Sequence, residues 1–389
     1  MFVRRTKILT ILCLGLTILL SAQSDIRKNK EDGGYEFTLI KEIETNPVKD
    51  QHRSGTCWSF SALSFIEAEL ARMGKPMIDL SEMFIVWNAY LEKAKKYVRL
   101  HGSLNFGPGG AFHDVTNMIK KYGIVPNSVY DGNNLDEDKI MHGEMDAVLE
   151  GLINGVIKNK NGRLTNQWEN ALKAVLNAYM GPIPESFEHN GNEYTPKSFA
   201  SSLGIDANNY ITLSSYTHHP FYQPFIMEVP DNWAWDKVYN VKLSDLEAII
   251  DNALVNDYTI AWASDVSEKG FSFKNGVAIV PVKEWVDMEK EERDSIYNEP
   301  IEERKITQEL RQKAFDNYRT TDDHGMHITG YANDQNGNRY YLVKNSWGDD
   351  SNDCGGYFYA SKAFVLYKTM DIMVHKDAIP QSIRKALKI

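Results

Sequence analysis

Cys57, His324 and Asn345 are residue types that together can break an amide bond, and Gln51 stands six residues before the thiol. Hydrolysis by sulfur needs a thiolate and a base that takes its proton and returns it to the leaving amine. It also needs an orienter for that base and donors for the oxyanion. Cys57 opens a helical pattern, where unpaired N–H groups and the macrodipole favour a negative sulfur and lower its pKa from about 8.5. The usual alternative for a lone cysteine is a buried structural residue, but the approach Gln51-His52-Arg53-Ser54-Gly55-Thr56 is too polar for that. A loop of this length can swing the Gln51 amide beside the sulfur. With the Cys57 N–H it would donate two hydrogen bonds to an oxyanion, each typically worth about 3–4 kcal/mol of barrier.

His324 stands in Asp323-His324-Gly325-Met326-His327-Ile328-Thr329-Gly330. Either histidine can serve as the base, but they differ in parity along a strand, so only one faces the thiol. No C-x-x-C lies nearby, so a zinc site is not expected and no metal or cofactor is assigned. Asn345-Ser346-Trp347-Gly348 follows a predicted strand. The Asn345 amide can accept from an imidazole N–H, with Trp347 shielding that bond. Asn-Ser at a strand end is also a common turn.

These residues need elements to carry them. Trp58, Ala62, Ile66 and Leu70 recur every four residues and predict a helix from Cys57 to about Met73, ended by Gly74-Lys75-Pro76. Asp79 and Glu82 have capping-box spacing for a second helix running past Trp87. The glycine-rich loop Gly107-Pro108-Gly109-Gly110 precedes a helix to about Tyr122, and lacks the Gly-Lys-Ser/Thr ending of a phosphate loop. From Asp131 to about Lys242 the pattern is helical and loop-rich, with helices near 137–157 and 166–179. Ser244-Asp245-Leu246-Glu247 reads as a capping box opening a short helix. Thr259–Ala263, Gly276–Val280, Arg339–Lys344, Gly356–Ala360 and Asp371–His375 then read as strands, interrupted by a charged helical stretch, 284–318. Helices first and strands last predict an α+β arrangement.

The totals narrow the partners. Residues 1–23 carry Arg4, Arg5 and Lys7 and then the 13-residue apolar run Ile8–Leu20. That run is shorter than the roughly 20 residues a bilayer span needs, so it reads as a signal peptide cut near Ala22 or Gln23. The expected destination is the periplasm or the exterior, with no membrane association after cleavage. Cleavage takes Lys+Arg from 43 to 40 against 53 Asp+Glu, moving the formal net charge from −10 to −13. Such a surface repels phosphate backbones, so nucleic acid is not an expected partner. Only Cys57 and Cys354 remain, and a bridge between them would consume the proposed nucleophile. A homo-oligomer is compatible with this composition.

Taken together, Gln-x5-Cys-Trp, Asp-His-Gly-Met-x-x-Thr-Gly and Asn-Ser-Trp-Gly resemble the papain superfamily of cysteine peptidases, in its order. The resemblance implies a helical N-terminal subdomain (about 50–130) and an antiparallel β-rich C-terminal subdomain (about 243–389). The cleft would lie between them, with an insertion at about 131–242, all within residues 24–389. It selects His324 over His327 as base, and Gly109-Gly110 as the pair whose backbone meets extended substrate, where only glycine permits so close an approach. It also makes Asp323 and Trp262 candidate substrate contacts. Leu80-Ser81-Glu82, Leu91-Glu92-Lys93, Lys121-Tyr122-Gly123-Ile124-Val125-Pro126 and Tyr239-Asn240-Val241 look like the bleomycin hydrolase and bacterial aminopeptidase C branch. So does the 267-residue separation of Cys57 and His324.

There are departures. Ser54 replaces a cysteine of secreted papains and Thr56 a usual Arg. Gln381–Ile389 stand where the branch has a longer tail, whose last carboxylate captures the substrate's amine. The expectation is a peptidase acting on peptides or proteins, aminopeptidase-like by resemblance. An endopeptidase, a Cys-His-Asn acyltransferase and a binding protein on an inactive scaffold are the competing readings. His218-His219 reads as a loop rather than a metal site.

Overall fold

The structure, a computed structural model, describes residues 25–135 and 139–389. The proposed signal peptide therefore lies outside the described residues. Helix α1 (Cys57–Arg72) buries not only Trp58, Ala62, Ile66 and Leu70 but nearly its whole circumference, Ser59, Ser61, Glu67 and Glu69 included. A helix covered on all sides is a central one. It packs on α2 (Glu82–Arg99) and α3 (Phe112–Tyr122) on one side and on the strand His324–Asn333 on the other. The helices Gly143–Ile157 and Gln167–Met180 extend this helical layer.

Opposite it runs a sheet with twelve strands among the described residues. Thr369–His375, Ile260–Ser264, His324–Asn333, Arg339–Lys344 and Tyr357–Ser361 are consecutive antiparallel neighbours at its centre. Parallel pairs occur only farther out, Tyr210–Ser214 with Lys237–Asn240 and Tyr357–Ser361 with Val277–Ala278. Glu36–Glu42 pairs with the C-terminal half of His324–Asn333. The fold is α+β and papain-like. Among the described residues no helix is long and apolar enough to cross a membrane.

Local expectations fail where tertiary contacts outrank local pattern. The second helix is capped by Ser81, whose hydroxyl accepts from Phe84 N–H at 3.0 Å, rather than by Asp79. Asp79 instead pairs with Lys49. The helix Leu243–Val255 starts at Leu243 with no side-chain cap, because Gln308 accepts the Leu243 N–H at 2.8 Å from a distant segment. Residues 131–242 are not only helix and loop. They supply Tyr210–Ser214, Pro224–Ile226 and Lys237–Asn240 to one edge of the sheet. The stretch 284–318 holds a 3-10 turn, Trp285–Asp287, and two short α-helices, Lys290–Ser295 and Gln308–Asp316, joined by loops.

Candidate active site

Cys57 is the first residue of α1, and no side chain caps this helix end, so its N–H groups stay open to an anion. Both Cys57 and Cys354 are free thiols. The strand carrying His324 lies directly on α1. A Cβ on Gly325 would come 2.7 Å from Ser61 Oγ and 3.3 Å from Trp58 Cα, so glycine is what lets strand and helix tip meet. The Gly325 and Trp58 N–H groups favour the Cys57 thiolate. The sulfur thus lies against the residue next to His324.

His324 is buried, and its Nε2 lies 2.7 Å from Asn345 Oδ1. That same oxygen accepts the Ser346 N–H at 2.8 Å. An atom that accepts an N–H is the amide oxygen, so Nε2 must carry the ring proton and Nδ1 is left as the acceptor. Trp347 stacks on the ring at 4.7 Å and 28° and covers the bond. His327 faces elsewhere: its Nδ1 meets Ser64 Oγ at 3.0 Å inside a polar layer with Lys344.

Gln51 joins the same frame. Its N–H donates to Ser346 O at 2.8 Å and its Oε1 accepts from Ser346 Oγ at 2.7 Å. With the oxygen engaged, the amide donor is what remains for the cleft that Gln51 lines.

Burial dominates the electrostatics. It pushes the Cys57 thiol up to about 12, with Asp322 and Asp231 adding to it against the Gly325 and Trp58 N–H groups. The expected lowering at a helix tip is therefore outweighed. Burial also pulls His324 down to about 4, against the Asn345 hydrogen bond and Asp323. Each direction describes one charge alone. Moving one proton from Sγ to Nδ1 creates both charges together, where each offsets the other's desolvation.

Cys57, His324, Gln51, Gly109 and Gly110 line one cleft of about 360 Å³. Trp58 Nε1 donates to Pro108 O at 2.9 Å, and buried Lys93 donates to Gly107 O at 2.6 Å and to Gly109 O. This holds the glycine loop from below. Asp323 lines the cleft with its carboxylate engaged by Thr321 Oγ1 at 2.7 Å and Ser267 N–H at 3.0 Å. Trp262 does not reach the cleft. It is fully buried, donating to Thr369 Oγ1 at 2.6 Å, and Ala263 is its strand's contribution to the wall. Strand alternation sends the two residues to opposite faces.

The sequence reading missed one wall entirely. Between the paired strands Pro224–Ile226 and Lys237–Asn240, the loop 227–236 crosses from the sheet to the helical layer. It places Met227, Val229, Asp231 and Asn232 on the cleft. Asn232 ties it internally through Met227 O and Asp236 O, both at 3.1 Å. Lys96 Nζ holds Ala234 O at 2.5 Å, Asn117 holds Asp236 at 2.6 Å and Asn105 holds Asp231 at 3.0 Å. Asp371 also lines the cleft, and an acid within the wholly buried strand Thr369–His375 was the available signal for it.

His218 and His219 meet Glu228 at 3.1 and 2.7 Å outside the cleft. Gln312 donates to His218 Nδ1 at 3.0 Å, which makes Nε2 a proton donor to Glu228 rather than a metal ligand.

The chain is similar to several known proteins. Aminopeptidase C of Lactobacillus delbrueckii subsp. lactis is 24% identical over 392 residues, covering 90% of this chain and 84% of its own. Aminopeptidase C of Listeria monocytogenes serovar 1/2a is 25% identical over 387 residues, covering 89% and 83%. The crystal structure of PepW from Lactobacillus rhamnosis HN001 superposes with a TM-score of 0.69 at 18% identity, over 90% of this chain and 84% of that one, and shares the fold. The Peptidase C1-like family model matches residues 19–389. By that match the chain, a cysteine-type peptidase of papain-like fold, belongs to the Peptidase C1-like family.

Proposed function

We propose that the protein is an aminopeptidase that works through a Cys57 thioester. Cys57 Sγ attacks the peptide carbonyl carbon while its proton passes to His324 Nδ1, and the C–S bond forms. The Gln51 amide and the Cys57 N–H hold the oxyanion. The C–N bond then breaks as His324 returns the proton to the leaving amine. Water, giving a proton to His324, cleaves the thioester, releases the acid and restores the thiol.

The observation that carries this reading is the Asn345 oxygen shared between His324 Nε2 and the Ser346 N–H, because it fixes which ring nitrogen takes the proton. The exopeptidase mode is supported by relatives named aminopeptidase C, and the loop 227–236 adds a wall to the cleft. The test compares free-amine and N-acetylated aminoacyl-coumarin substrates. Preference for the free amine is expected, with no turnover by folded Cys57→Ala. Efficient cleavage of acetylated peptides would make it an endopeptidase, and incorporation of amines into glutamine without hydrolysis would make it an acyltransferase. The positive start and the apolar run Ile8–Leu20 support export, so N-terminal sequencing of mature protein from the periplasm or medium is expected to begin near Gln23 or Ser24.

A further inference from the structure

His327 stands at a position that the papain-like pattern leaves open, and the peptide-cleaving steps make no use of it. It is nonetheless 1% exposed, on the strand that lies against α1, and faces Lys344 across the strand pair. Lys344 Nζ donates to Ser64 Oγ at 3.0 Å and to Asn46 O. Ser64 Oγ in turn lies 3.0 Å from His327 Nδ1. An ammonium can only donate, so the hydroxyl accepts from Lys344 and gives its own proton to Nδ1. Burial, and then the Lys344 charge, hold the His327 ring well below the usual imidazole range, so it is neutral. Its one proton is therefore on Nε2, and that N–H meets no acceptor among the described residues.

Asn345 has the same deficit on its other side. Its Oδ1 serves His324 and Ser346, as above. Its Nδ2, on a side chain 3% exposed, also meets no acceptor among the described residues. Both residues line one small cavity of about 20 Å³, enclosed by α1, the first residue of α2 and the two strands. A buried N–H without an acceptor costs about 1–3 kcal/mol, so something there should accept. A buried water needs roughly 10–15 Å³ and at least two polar partners, and little else is small enough. Two N–H donors offer a metal ion no lone pair. Glu67 and Glu82 on the same wall disfavour an anion, yet their carboxylates can take the protons of a water.

We infer that this cavity is a site for a single water molecule that accepts from His327 Nε2 and Asn345 Nδ2, and that His327 is thereby a positioning residue for the orienter. The Asn345 amide is then held at both ends, its oxygen by His324 and Ser346 and its nitrogen by His327 through the water. An amide so held cannot turn over, and the proton stays on His324 Nε2. The inference rests on the thioester mechanism proposed above and not on its exopeptidase mode.

High-resolution crystallography of the full-length wild type tests the site directly. A solvent oxygen within about 3.2 Å of both nitrogens is expected. A dry cavity, or a solvent atom touching neither nitrogen, overturns it. Kinetics on an aminoacyl-coumarin substrate test the positioning role. His327→Leu removes the donor and is expected to lower kcat about ten-fold with KM little changed. His327→Gln, whose amide nitrogen reaches about as far as Nε2, is expected to restore it. An unchanged kcat in His327→Leu, or a loss that His327→Gln does not recover, reduces His327 to packing and overturns the role. Ser64→Ala lets the His327 proton move to Nδ1 and carries the same kcat expectation should His327→Leu fail to fold. A wild type with the bridging water but no hydrolysis overturns the peptidase mechanism and keeps the site. Hydrolysis over a dry cavity overturns the site alone.

Discussion

Asn345 holds His324 by an oxygen that cannot let go cheaply, because the same Oδ1 also satisfies the Ser346 N–H. In Asn345→Ala the buried Nε2–H loses its acceptor and the ring is free to invert its tautomer. We expect kcat to fall about 100-fold with KM little changed. Steady-state kinetics on a coumarin substrate measures this, and a wild-type kcat would remove Asn345 from the mechanism.

The pH profile follows from the pair rather than from either member. Burial sets the outer limits, about 4 for His324 and about 12 for Cys57, so the form holding one proton between them spans the neutral range. A plot of kcat/KM against pH should be flat from about 6 to 9, with its acid limb near 4. Asp322 is the carboxylate acting most strongly on Cys57, so Asp322→Asn should bring the alkaline limit down. An acid limb near 6.5 would mean an unperturbed imidazole.

Lys93 underlies the glycine loop at Gly107 and Gly109. Lys93→Met leaves those carbonyls without a donor while preserving bulk. The expected loss is about 1–3 kcal/mol of stability, together with a raised KM as the Gly109–Gly110 backbone loses its position. Urea unfolding and KM together check it. A stability loss with unchanged KM would restrict Lys93 to a structural part.

Asp371 has a stability signature. Burial raises it to about 6 in the folded chain, so between the ordinary carboxylate range and about 6 the folded state holds a proton that the unfolded state has released. Its contribution is therefore complete at acid pH and is lost as pH rises through about 6. The size is on the order of 2–3 kcal/mol. Asp371→Asn should gain stability relative to wild type at pH 8 and little at pH 5, read as the difference in Tm. An equal difference at both pH values would contradict a buried, unpaired carboxylate.

How much of this was legible depends on chain distance. The thiol, its base and its orienter each sit in a short stretch whose chemistry is local. Cys57 at a helix start could be read from its surroundings, while His324 over His327, and Asn345 as more than a turn, came from the family resemblance. The part of Gly325, whose missing side chain lets the strand cross the helix tip, emerged only from the packing. Trp262 was misassigned because alternation gives the face of a strand only once its neighbours are known. The Asp79 cap failed because Lys49 claims that carboxylate from another segment. The loop 227–236 left no periodic signal at all, because its position comes from three polar contacts to elements more than 100 residues earlier.

That loop is fastened at both ends to an extended pair of strands and rests in between on side chains of the helical layer. Its length can change without shifting the register of the sheet or the spacing of sulfur and imidazole. The shape of that wall is thus written in a piece of chain that the chemistry does not read. Lengthening or cutting back the hairpin is a route to a different cleft on one unchanged reaction centre.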